Sequence, residues 1–244
     1  MALLDFHHPW LLVFGILGNI ISITVFLVPT STFIRIYKEK STMGFHSLPY
    51  VIALLSSLLW MYYAFLVKNA NLLFTINSVG IVTETIYITI FLIYASKKAR
   101  NHALMELVIS MGGFAATFLV SWFIFSGEVR ISVVGWICVA FALGVFASPL
   151  SVVVQVIRTK SVEFLPFYLS FFLALNAIMW GGYGTILKDL RIALPNVLGF
   201  LLALVQILLY VIYRKAKPVV EESKKVSEHV VVDMKIQETS NQGK

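Results

Sequence analysis

Residues 40–63, KSTMGFHSLPYVIALLSSLLWMYY, and residues 160–183, KSVEFLPFYLSFFLALNAIMWGGY, lie 120 positions apart and match at Lys40 and Lys160, Ser41 and Ser161, Trp60 and Trp180, Tyr63 and Tyr183. The same offset pairs Pro29 with Pro149. One residue is lost in the loop that follows, after which Asn77 with Gly80 matches Asn196 with Gly199, and Tyr94 matches Tyr213. Chance matches of Trp and Pro at one offset are rare, so the chain reads as an internal duplication.

Charge is confined to narrow bands. No Asp, Glu, Lys or Arg occurs in 6–34, 41–67, 107–127, 131–157, 164–187 or 192–213, and 69–96 carries only Glu84. A helix crosses the hydrocarbon core with about 20 apolar residues, and each of these seven stretches is long enough. Membrane strands alternate apolar and polar residues, whereas 20–28 and 197–213 are apolar almost throughout, so the spans are helical. The composition agrees: of 244 residues 59% are hydrophobic and 13% charged, with a mean hydropathy of +0.88, which no ordinary soluble domain shows. No basic region precedes the first apolar run and no small-residue cleavage site follows it, so Trp10 to Val28 is expected to be a retained first helix.

Three helices per copy is an odd number, so two copies fused directly would be inverted; one extra helix restores the direction of the second. The expected fold is therefore an all-α membrane protein with seven transmembrane helices, as two parallel three-helix repeats joined by a linker helix. The first repeat is 1–96, the linker helix 97–128 and the second repeat 129–213. Residues 214–244 are polar, with no apolar run long enough for a core, and read as a disordered cytosolic tail. Parallel repeats of this kind hold their substrate between them near the membrane midplane.

The net charge of +7 could suggest nucleic acid, but its distribution points elsewhere. Arg35, Lys38, Lys40, Lys97, Lys98, Arg100, Arg158 and Lys160 fall in loops 1, 3 and 5, whereas loops 2, 4 and 6 hold only Lys68, Arg130, Lys188 and Arg191. That alternation is the positive-inside bias, which puts the N-terminus outside and the C-terminus in the cytosol. Cys138 is the single cysteine, so an intramolecular disulfide and a cysteine-cluster metal site are excluded. The histidines fall in loops, helix ends or the tail, and the spans hold no aspartate pair, His-Glu cluster or Ser-His dyad. No enzyme, metal or cofactor is expected.

Polar and aromatic residues inside spans normally face a cavity or another helix. Ser56 with Trp60, and Asn176 with Trp180, each share a helix face, and Asn77 pairs with Asn196 by the repeat. Two indoles and two amides suit a sugar: rings cover apolar C–H faces and amides meet hydroxyls. The competing reading is an interfacial aromatic belt with ordinary interhelical hydrogen bonds. Pro29, Pro49, Pro149 and Pro166, at the cytosolic ends of spans 1, 2, 5 and 6, look like gate hinges, although Pro49 and Pro166 read equally well as ordinary helix starts. Glu84 reads as a structural, hydrogen-bonded carboxyl rather than a proton carrier, because Ala203 takes its place in the second repeat.

Several strings in order resemble the plant SWEET sugar transporters across all seven spans: GILGN (15–19), FLVPTSTF (26–33), KSTMGFHSLPY (40–50), TIN (75–77), ETIY (84–87), ASPL (147–150), RTKSVEFLPF (158–167) and ALPNVLG (193–199). The resemblance implies a cavity bounded by Trp60, Trp180, Asn77 and Asn196, with Ser22, Val25, Ser56, Val145 and Asn176 shaping its lower half. It implies a cytosolic gate supported by the four prolines, and an outer gate closed by Tyr63 and Asp189 with Tyr183 nearby. Asn176 stands where sucrose-type members usually carry serine, and Ala142 where serine is common. The expected activity is bidirectional sugar uniport by alternating access, with sucrose favoured over glucose; hexose-selective or proton-coupled transport and, more remotely, a seven-helix receptor are the alternatives. The expected setting is the lipid of the plasma membrane, where a homo-oligomer is admitted, with no nucleic-acid partner.

Overall fold

The computed structural model describes residues 9–162, 165 and 167–215, and for Ser148 the backbone alone. Among these, the helices are α1 (Pro9–Leu27), α2 (Thr30–Glu39), α3 (Leu48–Leu66), α4 (Asn71–Tyr94), α5 (Lys97–Ile124), α6 (Gly127–Val145), α7 (Ala147–Thr159), α8 (Phe167–Ile186) and α9 (Leu190–Tyr213). Taking α1 with α2 and α6 with α7 as single broken spans, seven helices are long and apolar enough to cross a membrane. The chain is thus an all-α multi-pass membrane protein built as two parallel three-helix repeats joined by α5. The tail reading beyond Lys215 and the hinge reading of Pro166 fall outside the described residues.

Both broken spans follow from proline chemistry, with a difference in register. Pro29 is the N-cap of α2 with φ −70° and ψ −10°, and its carbonyl accepts from the Phe33 N–H at 3.1 Å. Its missing N–H ends α1, and Val28 turns back to the Val25 carbonyl at 3.1 Å instead. The Tyr87 hydroxyl of α4 donates to the Phe26 carbonyl at 3.0 Å and bonds Thr30 at 2.7 Å, stitching the break. In the second repeat the break falls at Phe146, three residues before Pro149. Pro149 therefore occupies the first turn of α7, where a backbone N–H has no intrahelical partner to lose.

The chain forms two compact units: Met1–Val145 with Phe172–Phe200, and Phe146–Phe171 with Leu201–Lys244. Each unit holds a copy of the same local device. In the first, Lys40 closes α2 in the left-handed conformation (φ 52°), and its ammonium reaches the Tyr94 hydroxyl at 3.3 Å and the Tyr37 ring centroid at 3.8 Å. In the second, Lys160 closes α7 at φ 55° and donates to the Tyr213 hydroxyl at 2.9 Å. Helix C-termini favour such cations.

Within the first unit α5 is tied to α3 at both ends. Ser47, the N-cap of α3, makes no cap of its own; its hydroxyl donates to Glu106 of α5 at 2.6 Å. Near the other end Tyr62 and Ser121 share a buried hydrogen bond of 2.9 Å. Arg130 then caps α5, donating to the carbonyls of Ser121, Phe125 and Trp122 at 3.0–3.2 Å. Only Ala103 and Ser121 of α5 are buried, and its exposed side chains, such as Val108 and Phe123, are those that lipid solvates.

Candidate functional site

The first unit gathers parts of both repeats around one core. Leu11, Leu59, Tyr63, Leu73, Ile76, Cys138, Trp180, Tyr183 and Ile192 are buried together, with Trp60, Phe14 and Phe26 packed against them. Six helices contribute because each turns an apolar stripe inward, and the polar residues on those stripes are held by one another or by backbone carbonyls.

Trp180 is 5% exposed, lies over Gly18 and donates its indole N–H to the Ser22 hydroxyl at 2.9 Å. Ser22 in turn donates to the Asn176 side-chain oxygen at 2.6 Å. Three residues expected to shape a binding site are therefore one hydrogen-bonded chain, with each donor matched to an acceptor. Asn77 and Asn196 behave as a pair: each amide nitrogen donates to the carbonyl four residues back, Leu73 or Ile192, both at 2.7 Å. That commits one N–H of each amide and fixes its orientation, leaving a second N–H and an oxygen that a hydroxyl could engage. Pro195 precedes Asn196 inside α9 and removes the N–H that would bond the Arg191 carbonyl, a signal the sequence reading passed over. Val25 and Ser56 are half-buried, whereas Val145, at the end of α6, is 43% exposed.

One end of this unit is closed by two reciprocal tyrosines. Tyr63 on α3 and Tyr183 on α8 are 0% and 1% exposed, and each packs edge-on against the tryptophan three residues before it, at 5.8 and 5.3 Å. Tyr63 reaches into the second repeat and donates to Asp189. Tyr183 reaches into the first repeat and donates to the Asn69 carbonyl at 3.0 Å. Asn69 and Lys188, one position before Ala70 and Asp189, both take the left-handed conformation, at φ 61° and 57°, so the two connecting loops turn alike. Arg191 completes the closure, its backbone and guanidinium each donating to Asp189 at 3.0 Å. Sequence reasoning had counted Arg191 only as loop charge, and a backbone acceptor such as Asn69 leaves no trace in side-chain chemistry.

Of the four prolines, the three among the described residues divide between the units. Pro29 is half-buried and Pro49 is an exposed residue of the first turn of α3, both in the first unit, while the half-buried Pro149 belongs to the second. Glu84 is 4% exposed and its Oε2 has no hydrogen-bond partner among the described residues. The expected hydrogen-bonded carboxyl is thus incomplete at that oxygen. The reason is local: the Tyr87 hydroxyl, one turn on, is already taken by Phe26 and Thr30, and Gly80, Ile88 and Phe91 on the same buried face offer no side-chain donor. No group of three or more His, Cys, Asp or Glu that could hold a metal occurs among the described residues.

Comparison with known proteins gives a consistent answer. A family model described as "Sugar efflux transporter for intercellular exchange" matches twice, over residues 12–99 and 132–218. The chain is 57% identical to the bidirectional sugar transporter N3 of Medicago truncatula, with 85% of this chain and 78% of that protein aligned. It is 52% identical to SWEET15 of Oryza sativa subsp. indica over 95% of this chain and 73% of that one, and 50% identical to SWEET10 of Arabidopsis thaliana over 90% and 78%. A 3.7 Å structure of a eukaryotic SWEET transporter superposes with a TM-score of 0.82 at 38% identity, covering 86% of this chain and 99% of that one.

Proposed function

This chain belongs to the SWEET family of bidirectional sugar transporters, and from that premise we propose that it passes sugar down its gradient by alternating access, with sucrose favoured over glucose. It is a transporter and not an enzyme. The observation that carries the mechanism is the crosswise closure at one end: Tyr63 and Tyr183 each bond the opposite repeat, so separating the repeats there breaks both bonds at once. A gate that opens or closes as a unit is what alternating access requires.

In this reading that closure is the outer gate, and Pro29, Pro49, Pro149 and Pro166 form the hinges of the cytosolic one. Sugar sits between Trp60 and Trp180, with Asn77 and Asn196 meeting its hydroxyls and Ser22, Val25, Ser56, Val145 and Asn176 bounding the space beside them. The repeat boundaries are 1–96 and 129–213 with 97–128 as the linker. In the same reading the N-terminus faces outside, the C-terminus lies in the cytosol, and the membrane is the plasma membrane. The protein sits in lipid, and homo-oligomers are compatible with the exposed apolar faces. A millimolar dissociation constant, about −4 kcal/mol, suits a carrier that must release its cargo.

Asn176 favours a second, hexose-selective reading, because its amide adds bulk beside Ser22 where sucrose-type members carry serine. Counterflow of labelled sucrose and glucose in proteoliposomes, for wild type and Asn176→Ser, tests both. Faster sucrose than glucose exchange by the wild type supports the first; glucose exchange alone, with sucrose gained in Asn176→Ser, supports the second. Failure of both sugars to exchange overturns the reading.

A further inference from the structure

Gly15 and Gly135 stand 120 positions apart, at equivalent points on α1 and α6. A Cβ placed on Gly135 would lie 2.5 Å from Arg191 Cδ and 2.6 Å from Tyr63 Cε2. A Cβ placed on Gly15 would lie 3.0 Å from Tyr183 Cε2 and 3.0 Å from Leu72 Cβ, and nearer still to Leu72 Cδ1. Leu72 and Arg191 are themselves equivalent, at the offset of 119 that relates Asn77 to Asn196. Each glycine therefore receives the gate tyrosine of the other repeat and the α4 or α9 residue of its own.

We propose that Gly15 and Gly135 are matched seats of the outer gate, positioning residues whose missing side chains let Tyr63 and Tyr183 swing fully home. The inference rests on the transport reading above and extends it to residues that touch no sugar. Neither tyrosine has room to yield: both rings are essentially unexposed, and their hydroxyls are fixed on Asp189 and the Asn69 carbonyl. A methyl at Gly135 displaces the Tyr63 ring directly, and one at Gly15 is wedged between Leu72 and the Tyr183 ring and forces them apart; either shift lengthens the cross-repeat bond and disfavours closure. Because the two bonds break together, one methyl on one side loosens both. Neither glycine's added methyl would meet a residue assigned to the sugar, so sugar binding and gate closure are read separately.

The experiment uses the full chain in proteoliposomes, with Gly15→Ala, Gly135→Ala, Leu72→Ala and the double variant Gly15→Ala/Leu72→Ala. Cys138, the sole cysteine and 0% exposed, lies in the same core as Tyr63 and serves as a native reporter of an open gate. Three quantities are read: sugar binding, counterflow, and labelling of Cys138 by a membrane-impermeant maleimide. The expected result is that both glycine variants bind sugar as the wild type does, lose counterflow about tenfold, and that Gly15→Ala speeds Cys138 labelling by a similar factor. Leu72→Ala, which removes the nearest obstacle to a Cβ at position 15, should restore counterflow in the double variant. Wild-type counterflow in both glycine variants overturns the proposal. So does loss of binding together with counterflow, and so does a double variant no better than Gly15→Ala. A wild type that neither binds nor exchanges sugar would instead overturn the transport reading itself.

Discussion

Replacing Tyr63 by phenylalanine removes one oxygen from a fully buried ring and leaves the packing otherwise intact, so its effect isolates the bond to Asp189. A hydrogen bond to a charged group contributes about 1.5–3 kcal/mol. Asp189 keeps two donors from Arg191 after the change, which favours the lower end of that range. Since about 1.4 kcal/mol is tenfold in an equilibrium constant, the ratio of open to closed outer gate should rise about tenfold. Cys138 reports this directly: its labelling rate by an impermeant maleimide, added to each face of sealed vesicles in turn, should rise about tenfold from one face only. Counterflow should fall, because the cycle must pass through the closed gate. Equal labelling rates for Tyr63→Phe and wild type, with unchanged counterflow, would refute the view that this bond holds the gate.

Ser22→Ala breaks the chain from Trp180 through Ser22 to Asn176, leaving a buried indole N–H without its acceptor; a loss of about 1–3 kcal/mol should appear as weaker sugar binding by isothermal titration with expression unchanged. Trp180→Ala, and Asn196→Ala with it, should abolish uptake while surface protein persists, and normal uptake by both would remove them from the sugar site. Glu84→Gln keeps shape and removes the acid, so under uniport sugar flux and its indifference to a collapsed pH gradient should both be retained; dependence on the gradient that vanishes in the variant would mean proton coupling. Tyr62→Phe deletes the buried bond to Ser121 and should lower thermal stability by about 1 kcal/mol without altering substrate preference, read as a shifted unfolding midpoint against unchanged relative exchange of sucrose and glucose.

What was legible in the sequence was whatever depends on period and transfer energy. Seven apolar stretches became seven spans because hydrocarbon tolerates only backbone that satisfies itself. The offset of 120 was legible because Trp, Pro and Tyr are rare enough to mark register. The pairing of Trp60 with Tyr63 and Trp180 with Tyr183 follows from spacing alone, since residues three apart share a helix face. What stayed hidden depends on direction and on backbone atoms. The link between Ser22 and Asn176 spans 154 positions and needs the rotation of two helices about their axes. The acceptor for Tyr183 is a carbonyl, which every residue possesses. Gly15 belonged to a recognisable string, yet its role is a distance to Tyr183, which no string contains. The helix break at Phe146 rather than beside Pro149 escaped because a proline in a first turn permits a helix as readily as it ends one.

Duplication explains why the crosswise bonds of Tyr63 and Tyr183 are symmetric, but the chain does not keep that symmetry throughout. Asn19 bonds the carbonyls of Gly15 and Leu72 at 2.8 and 3.0 Å, tying α1 to α4, whereas its counterpart is Val139. Tyr50 and Tyr87 face each other in the first repeat at 5.9 Å, while the equivalent positions hold Ser170 and Gln206, joined by a hydrogen bond of 3.2 Å. One repeat has an aromatic contact where the other has an amide–hydroxyl bond. Tyr87 also stitches the Pro29 break, a task for which the Gln206 side chain carries no ring to stack on Phe33, as Tyr87 does at 4.4 Å. In the first repeat Ser47 and Tyr62 further fasten α3 to the linker helix. The first repeat is therefore braced at its proline break by the Tyr87 hydroxyl and ring, whereas the Gln206 amide of the second ties α9 to Ser170 of α8. If the prolines are hinges, the two repeats should not flex equally: Tyr87→Phe should loosen the Pro29 break and slow exchange, while Gln206→Leu should leave exchange near the wild-type rate. Equal loss in both variants would mean that the two breaks move as one.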